Sequence, residues 1–318
     1  MSNVMPKIIA VSLNPSIDRG IEVPGLTIGA HQVGRQLFRR PAGKAANLTH
    51  TLGILKVPTL IVGFVGKGQQ DYFEQYLNSE HVSCQFFPVW GQTRENITLF
   101  DPASQIETHI RDRGFEVSSV DINHLKQNLA QFCRKDVFVV FNGSLPPGLS
   151  VEDFVGLVQI CQTKGARVCV DSSGQVLRAC RPLGVWMIKP NVAELSEMLE
   201  TPLENPTQII VAGNELKKNI PVVAVTMGKD GACLFSGTEN FEGRINLDPN
   251  EIKNTVGCGD AFLAGFLAGV TAGKNFKESF AQALTVATAA AISLTPGEVS
   301  LADIDHFFPL AEIFPFEE

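Results

Sequence analysis

The chain has 318 residues, 44% of them hydrophobic and 19% charged, with a net charge of −7. That is the composition of a globular protein large enough to bury a core without disulfide staples. The acidic balance argues against a general nucleic-acid or anionic-membrane surface. No run of 18 apolar residues occurs, and the opening Met-Ser-Asn-Val-Met-Pro-Lys lacks a signal-peptide pattern, so a cytoplasmic location is expected. The cysteines are Cys84, Cys133, Cys161, Cys169, Cys180, Cys233 and Cys258, an odd number without a Cys-x-x-Cys. Neither a disulfide framework nor a zinc site is supported. The histidines show no ligand spacing.

Along the chain, short apolar runs alternate with helix-like stretches. Runs at 8–13, 59–65, 137–142, 167–172, 185–188 and 222–226 suit strands buried on both faces of a parallel sheet. Stretches 45–55, 70–82, 151–164, 192–199 and 207–218 read as helices. This order predicts a doubly wound α/β fold, whose ligands bind at the carboxyl ends of the strands. Two segments break the rhythm. Residues 14–35 are rich in turns, and 94–112 read as two β segments, 96–100 and 106–111. They are expected to form a small β insertion apart from a core of 1–13, 36–93 and 113–318. From Val23 to Gln70 there is no acidic residue, while Arg35, Arg39, Arg40, Lys44, Lys56 and Lys67 occur. That stretch is either a solvated basic face or a pocket for an anionic substrate.

Several strings carry chemistry. Asn14-Pro-Ser-Ile-Asp18 follows the first strand, where Asp18 is a turn residue or an acceptor for polyol hydroxyls. Pro41-Ala-Gly-Lys-Ala-Ala-Asn47 precedes a helix. It is not a Walker A loop, because Phe38 and Ala45 stand where that motif needs Gly and Ser/Thr. Likewise Gly66-Lys-Gly68 is not a dinucleotide loop, since Asp71 replaces the third glycine. Thr93-Arg94 opens the first of the two β segments at 94–112. Phe141-Asn-Gly-Ser-Leu-Pro-Pro-Gly148 ends a buried strand, as does Val170-Asp-Ser-Ser-Gly174. In Lys189-Pro-Asn191-Val-Ala-Glu194 the Asn and Glu are three apart on one helix face. They form either a capping box or an outer shell for Mg²⁺ bound through water to nucleotide phosphates. Thr226-Met-Gly228-Lys-Asp-Gly231 joins two strands. In Asn254-Thr-Val-Gly-Cys-Gly-Asp260, Gly257 and Gly259 open a long apolar helix, which makes an anion site of its free N–H groups and dipole. Asp260 is then a cap, or a base taking a proton from a hydroxyl beside a bound phosphate. The run 279–294 is almost all Ala, Leu, Val and Thr and reads as core.

Jointly, and in order, these strings resemble the ribokinase-like (PfkB-type) carbohydrate kinases, in their phosphofructokinase, 1-phosphofructokinase and tagatose-6-phosphate kinase branch. The resemblance spans Asn14 to about Leu294. It implies a three-layer α/β/α fold with a mostly parallel sheet, and a β lid that excludes water from the reaction. It implies ATP and Mg²⁺, with Asp260 as base and the N–H groups of Gly257, Cys258 and Gly259 holding the transferring phosphate. Asp18, Gly43, Lys44, Asn47 and Asn142 would bind the sugar. Arg94 would grip a phosphate already on it, with Arg35 and Lys44 as weaker candidates for that role. Lys189, Asn191, Thr226, Gly228, Gly231 and Ala287, with Ala291, would line the nucleotide site, and Asn191 and Glu194 would organise the metal. Ala42, Cys258 and Asn142 depart from the family pattern, and His31 falls near where some members carry a lysine. The expected activity is phosphorylation of fructose 1-phosphate, fructose 6-phosphate or tagatose 6-phosphate by a homodimer joined through its lids. A kinase of an unphosphorylated sugar or nucleoside, and a non-catalytic sugar-phosphate sensor, are the alternatives.

Overall fold

The computed structural model describes residues 5–237, 239–295 and 297–316. Part of the N-terminal stretch read for a leader pattern lies outside them. The elements in chain order are β1 (Ile8–Ser12), β2 (Ser16–Glu22), β3 (Arg35–Ala42), α1 (Lys44–Ile54), β4 (Thr59–Gly66), α2 (Gln70–Leu77), β5 (Val82–Val89), β6 (Arg94–Asp101) and β7 (Ile106–Arg111). Then come α3 (Ser119–Phe132), β8 (Phe138–Asn142), α4 (Val151–Thr163), β9 (Arg167–Asp171), α5 (Gly174–Leu183), β10 (Met187–Ile188), α6 (Val192–Leu199), α7 (Pro206–Leu216) and β11 (Val222–Thr226). The chain closes with β12 (Ala232–Ser236), β13 (Glu239–Arg244), α8 (Cys258–Thr271), α9 (Phe276–Ala291), α10 (Leu301–Phe307) and β14 (Glu312–Phe316).

Ten strands form one sheet, in the order β14-β13-β12-β11-β10-β9-β8-β1-β4-β5. From β5 to β11 the pairs are parallel, and β12, β13 and β14 add an antiparallel edge. The central strands β1 and β8 are buried along their whole length, which explains their unbroken apolar sequence. One core layer packs β-sheet residues such as Val139 and Val223 against Leu125, Leu157 and Leu195 of α3, α4 and α6. The opposite layer packs Ile8, Val140 and Ala224 against Leu48, Phe262, Phe266 and Phe280 of α1, α8 and α9. The three-layer α/β/α expectation holds.

The second sheet has four strands in the order β3-β2-β6-β7. The β segments expected at 96–100 and 106–111 fall within β6 and β7. Two expectations need correction. Residues 36–42, assigned to the core, belong to the small sheet, because β3 pairs antiparallel with β2 from Arg35 to Ala42. The helix expected over 70–82 stops at Leu77, and Val82 opens β5, a parallel neighbour of β4. There, Ser83 and Gln85 sit among apolar residues at the edge of the sheet. Pro88 is tolerated in this strand because an edge leaves N–H positions unpaired.

Candidate active site

The carboxyl ends of the parallel strands open into a cavity of about 900 Å³ roofed by the small sheet. Asn14 follows β1, Gly143 and Ser144 follow β8, Asp171 ends β9, Lys189 follows β10 and Thr226 ends β11; all line it. Of the residues singled out from sequence, Asp18, Gly43, Lys44, Asn47, Arg94, Asn191, Glu194, Gly228, Gly231, Gly257, Cys258, Gly259, Asp260, Ala287 and Ala291 also line it. Asn142 does not; it is buried at the end of β8. Arg35 and His31 are absent from the lining too. Arg35 is at the exposed end of β3, paired with Glu22 at 3.2 Å.

Asp260 sits in the first turn of α8 and is 5% exposed. Gly257 caps the helix at φ 85, the left-handed region that a Cβ disfavours. The first helical bond runs from Ala261 N–H to Gly257 O, so the N–H groups of Cys258, Gly259 and Asp260 have no helical partner. Asn47 Nδ2 donates to Asp260 Oδ2 at 3.0 Å, and Asn142 Nδ2 donates to Oδ1 at 3.4 Å. Burial, reinforced by the charge of Asp171, pushes the Asp260 carboxyl up to about 6, against the pull of Lys44, the Asn47 amide and Lys189. A carboxyl in that range is poised to exchange a proton near neutral pH.

Cys258 fits the turn without disturbing it. Its thiol donates to the Asn254 carbonyl at 3.6 Å, and burial beside Asp260 pushes it up to about 11. It is therefore a protonated, unreactive side chain at neutral pH. Ala42 is likewise accommodated: it is the buried last residue of β3, paired with Ser16. The special backbone falls one residue later, at Gly43, with φ 100 and Pro15 packed against it.

Asp171 is the residue that sequence reading left without a role. It is fully buried, with Lys44 Nζ at 2.9 Å and Lys189 Nζ at 3.2 Å. Burial works against its charge, but the two lysines outweigh that and hold the carboxyl below its usual range. Lys44 is raised in turn: burial opposes its charge, and Asp171, with Asp260 and Glu194, more than compensates. The one signal in the sequence was an Asp closing an apolar strand, Arg167-Val-Cys-Val-Asp171. Lys189 Nζ lies close beside Gly259, so a Cβ there would meet it at 3.2 Å. A buried cation thus borders the free N–H groups of α8.

Asn191 and Glu194 form the capping box of α6: Asn191 Oδ1 accepts from Glu194 N–H, and Glu194 Oε2 accepts from Asn191 N–H. Asn191 Oδ1 accepts this one N–H and keeps a second lone pair, and the residue lines the cavity. Glu194 keeps Oε1, 3.8 Å from Lys44 Nζ. Among the described residues no group of three His, Cys, Asp or Glu could hold a metal ion. This donor set suits Mg²⁺ carried in on nucleotide phosphates and touched by Glu194 through water, and does not suit an all-protein cage. Thr226 bridges to Asn191, and Gly228 and Gly231 flank the same end of the cavity. Beyond them Ile245, Ile252, Val256, Leu284, Ala287 and Ala291 make an apolar slot.

The lid end is polar. Asp18 Oδ1 accepts from Ser16 Oγ at 3.0 Å and from Asn96 Nδ2 at 2.9 Å. Arg94 donates to the carbonyls of Asn14 and Pro15 at 3.0 and 3.2 Å, leaving three of its five N–H groups for another partner. Arg111 lines the cavity and opposes Asn96 across β6 and β7. Burial lowers the Arg94 pKa; Asp18 offsets part of this and Arg111 adds to it. Two cations therefore lie together beside the polar wall formed by Ser16, Asp18 and Asn96. Arg111 escaped the sequence reading because nothing marks it until β7 turns it inward. Most of the basic stretch at 35–67 is elsewhere. Arg39 pairs with Glu95 and stacks on Tyr72, and Lys67 stacks on Trp90. Only Lys44 of that set lines the cavity.

An anion cradle with a raised carboxyl, an apolar stretch of wall and a polar, cationic roof are the features a kinase of a small polyhydroxylated acceptor requires. Residues 11–299 match the pfkB family carbohydrate kinase description. The chain belongs to that family and is an ATP-dependent sugar kinase of the sugar-phosphate type. It is 30% identical to the 1-phosphofructokinase of Bacillus subtilis (strain 168) over 260 residues, 81% of this chain and 84% of that protein. Its fold matches phosphofructokinase-2 from Escherichia coli in complex with potassium, at TM-score 0.88 and 21% identity, over 96% of this chain and 99% of that one. The same enzyme in complex with substrates and products matches at TM-score 0.88 and 22% identity, over 95% and 98% of the chains. No helix among the described residues is long and apolar enough to cross a membrane.

Proposed function

We propose that the protein transfers the γ-phosphoryl group of ATP in line to a hydroxyl of a fructose or tagatose phosphate, with Asp260 as the base. The observation that carries this reading is the Asp260 carboxyl, buried at the mouth of the anion cradle and pushed up to about 6. As the acceptor oxygen attacks, Asp260 takes its proton. The N–H groups of Gly257, Cys258 and Gly259 face the negative charge on the transferring group, and Lys189 borders them as a cation. Asp18, Gly43 and Asn47 orient the sugar. Mg²⁺, when bound with the nucleotide, neutralises charge on the phosphates. Asn191 and Glu194 would hold its water shell. The apolar slot around Ala287 takes the adenine, and Gly228 and Gly231 let the backbone pass beside it.

Arg94 and Arg111 suit a phosphate already on the acceptor, since paired guanidinium groups bind such an anion strongly. The relative's name favours fructose 1-phosphate among the three candidates. The small sheet acts as a lid, closing the site against water that would compete for the γ-phosphate.

The test is ADP release with Mg·ATP against fructose 1-phosphate, fructose 6-phosphate, tagatose 6-phosphate, fructose, ribose and adenosine. Strong turnover on one phosphosugar is expected. Preference for an unphosphorylated acceptor would overturn the role of the arginine pair. Phosphosugar binding without turnover would make the protein a sensor.

A further inference from the structure

Asn142 stands where the resembling motif has a serine, and it does not line the cavity. Its environment is unusual. It is the last residue of β8, opposite Asp171 of β9. Just beyond it the backbone is pinned, since Gly143 N–H donates to Asp171 O at 2.9 Å and Ser172 Oγ donates to Gly143 O at 2.8 Å. The side chain is buried, and Nδ2 lies 3.4 Å from Asp260 Oδ1. A carboxylate only accepts, so the amide must present its nitrogen to Asp260. That leaves Asn142 Oδ1 buried without a partner among the described residues, as Asn47 Oδ1 is on the other side. Two buried amides therefore each leave an acceptor unsatisfied while directing a donor at one oxygen of the same carboxylate. Buried unsatisfied acceptors are uncommon, and folding alone does not favour two together.

From this geometry we infer that Asn142 is a positioning residue for Asp260: with Asn47 it forms a two-sided amide clamp that fixes the carboxylate plane toward the acceptor hydroxyl. The inference rests on the reading of Asp260 as the base. A serine at 142 cannot do this, because its hydroxyl ends one bond short of the amide nitrogen. The clamp also favours the ionised carboxylate. The charged groups that face Asp260 are Asp171 from β9, Lys44 from α1 and Lys189 after β10, with Cys258 beside it on α8. None of the three charges replaces a donor on Oδ1.

The test compares Asn142→Leu, of similar volume, and Asn142→Ser with the unmodified enzyme. Loss of a donor destabilises the charged form, so the acid limb of kcat against pH is expected to move up by about one pH unit. At pH 6 kcat should fall about fivefold, with phosphosugar KM within about twofold. In parallel, the ¹³C titration of the Asp260 carboxyl, assigned with Asp260→Asn, should move in the same direction without any substrate. A fall in kcat with an unmoved limb and unmoved titration would overturn the clamp, as would a change confined to KM. If the unmodified enzyme turns over no phosphosugar, the functional reading fails, and the carboxyl titration still decides the clamp. Should Asn142→Leu not fold, Asn142→Ser carries both measurements.

Discussion

Two buried carboxylates, Asp171 and Asp260, share two lysines, the buried Lys189 and the half-exposed Lys44. Asp171 holds both lysines at ion-pair distance and Asp260 holds neither, so Asp260 carries the unfavourable share. A raised carboxylate contributes stability that is present below its unfolded pKa, near 3.8, and is lost as pH rises through about 6. At pH 8, Asp260→Asn should therefore stabilise the protein by about 1–3 kcal/mol while lowering kcat by orders of magnitude. Denaturant unfolding at pH 8 and pH 4 checks it, since the gain should vanish at the lower pH. Asp171→Asn removes the like charge, so the acid limb should move down, opposite to the shift expected for Asn142→Leu. That variant should also lose about 3 kcal/mol of stability, chiefly because the buried Lys189 loses its partner. Arg94→Ala and Arg111→Ala should each raise phosphosugar KM about tenfold or more with kcat little changed. An unphosphorylated acceptor used as a control should show no such rise.

The helix α8 explains how a carboxylate can be held so deep. Asp260 through Gly269 are all buried, so the helix is apolar around its whole circumference. It lies against α9 at close range: a Cβ at Gly265 would meet Gln282 O at 2.8 Å, and one at Gly269 would meet Ser279 Oγ at 2.8 Å. Small residues at both places let the two backbones approach. Gly265→Val should overpack that seam and cost about 1–3 kcal/mol, read as a lower unfolding midpoint. The same seam carries Ala287, so nucleotide KM should rise with it. Sequence marked α8 and α9 clearly, because apolar runs of that length are helices on either face of a sheet. It overran α2, because 78–82 carry no strong stop signal and β5 becomes a strand only by pairing with β4.

At the scale of the whole molecule, the small sheet has two unlike faces. Arg111 faces the cavity, so its neighbour Ile110 faces away, with Ile106 on the same side. Ile110 is 51% exposed and Ile106 60% exposed, with Ile97 and Leu99 half-buried beside them. An exposed apolar sheet face of this kind favours pairing with a second copy, and we propose a homodimer joined there. Ile110→Lys should then sediment as a monomer while unmodified protein sediments as a dimer. Equal sedimentation of the two would remove the lid from the interface.

The sequence by itself determined the parallel α/β core, the β segments at 96–100 and 106–111, and the glycine turn that opens α8. Those features depend on local chemistry: buried strands need unbroken apolar runs, and a glycine turn before an apolar helix leaves N–H groups free. Tertiary structure alone decided how strands β8, β9 and β10, distant in sequence, bring Asn142, Asp171 and Lys189 around Asp260. It also decided that Arg111 joins Arg94 while Arg35 and Arg39 turn away. The physical reason is common to all of these. A side chain's charge, donor or acceptor acquires a role only through partners within a few ångströms, and sheet register, not neighbouring sequence, sets who those partners are.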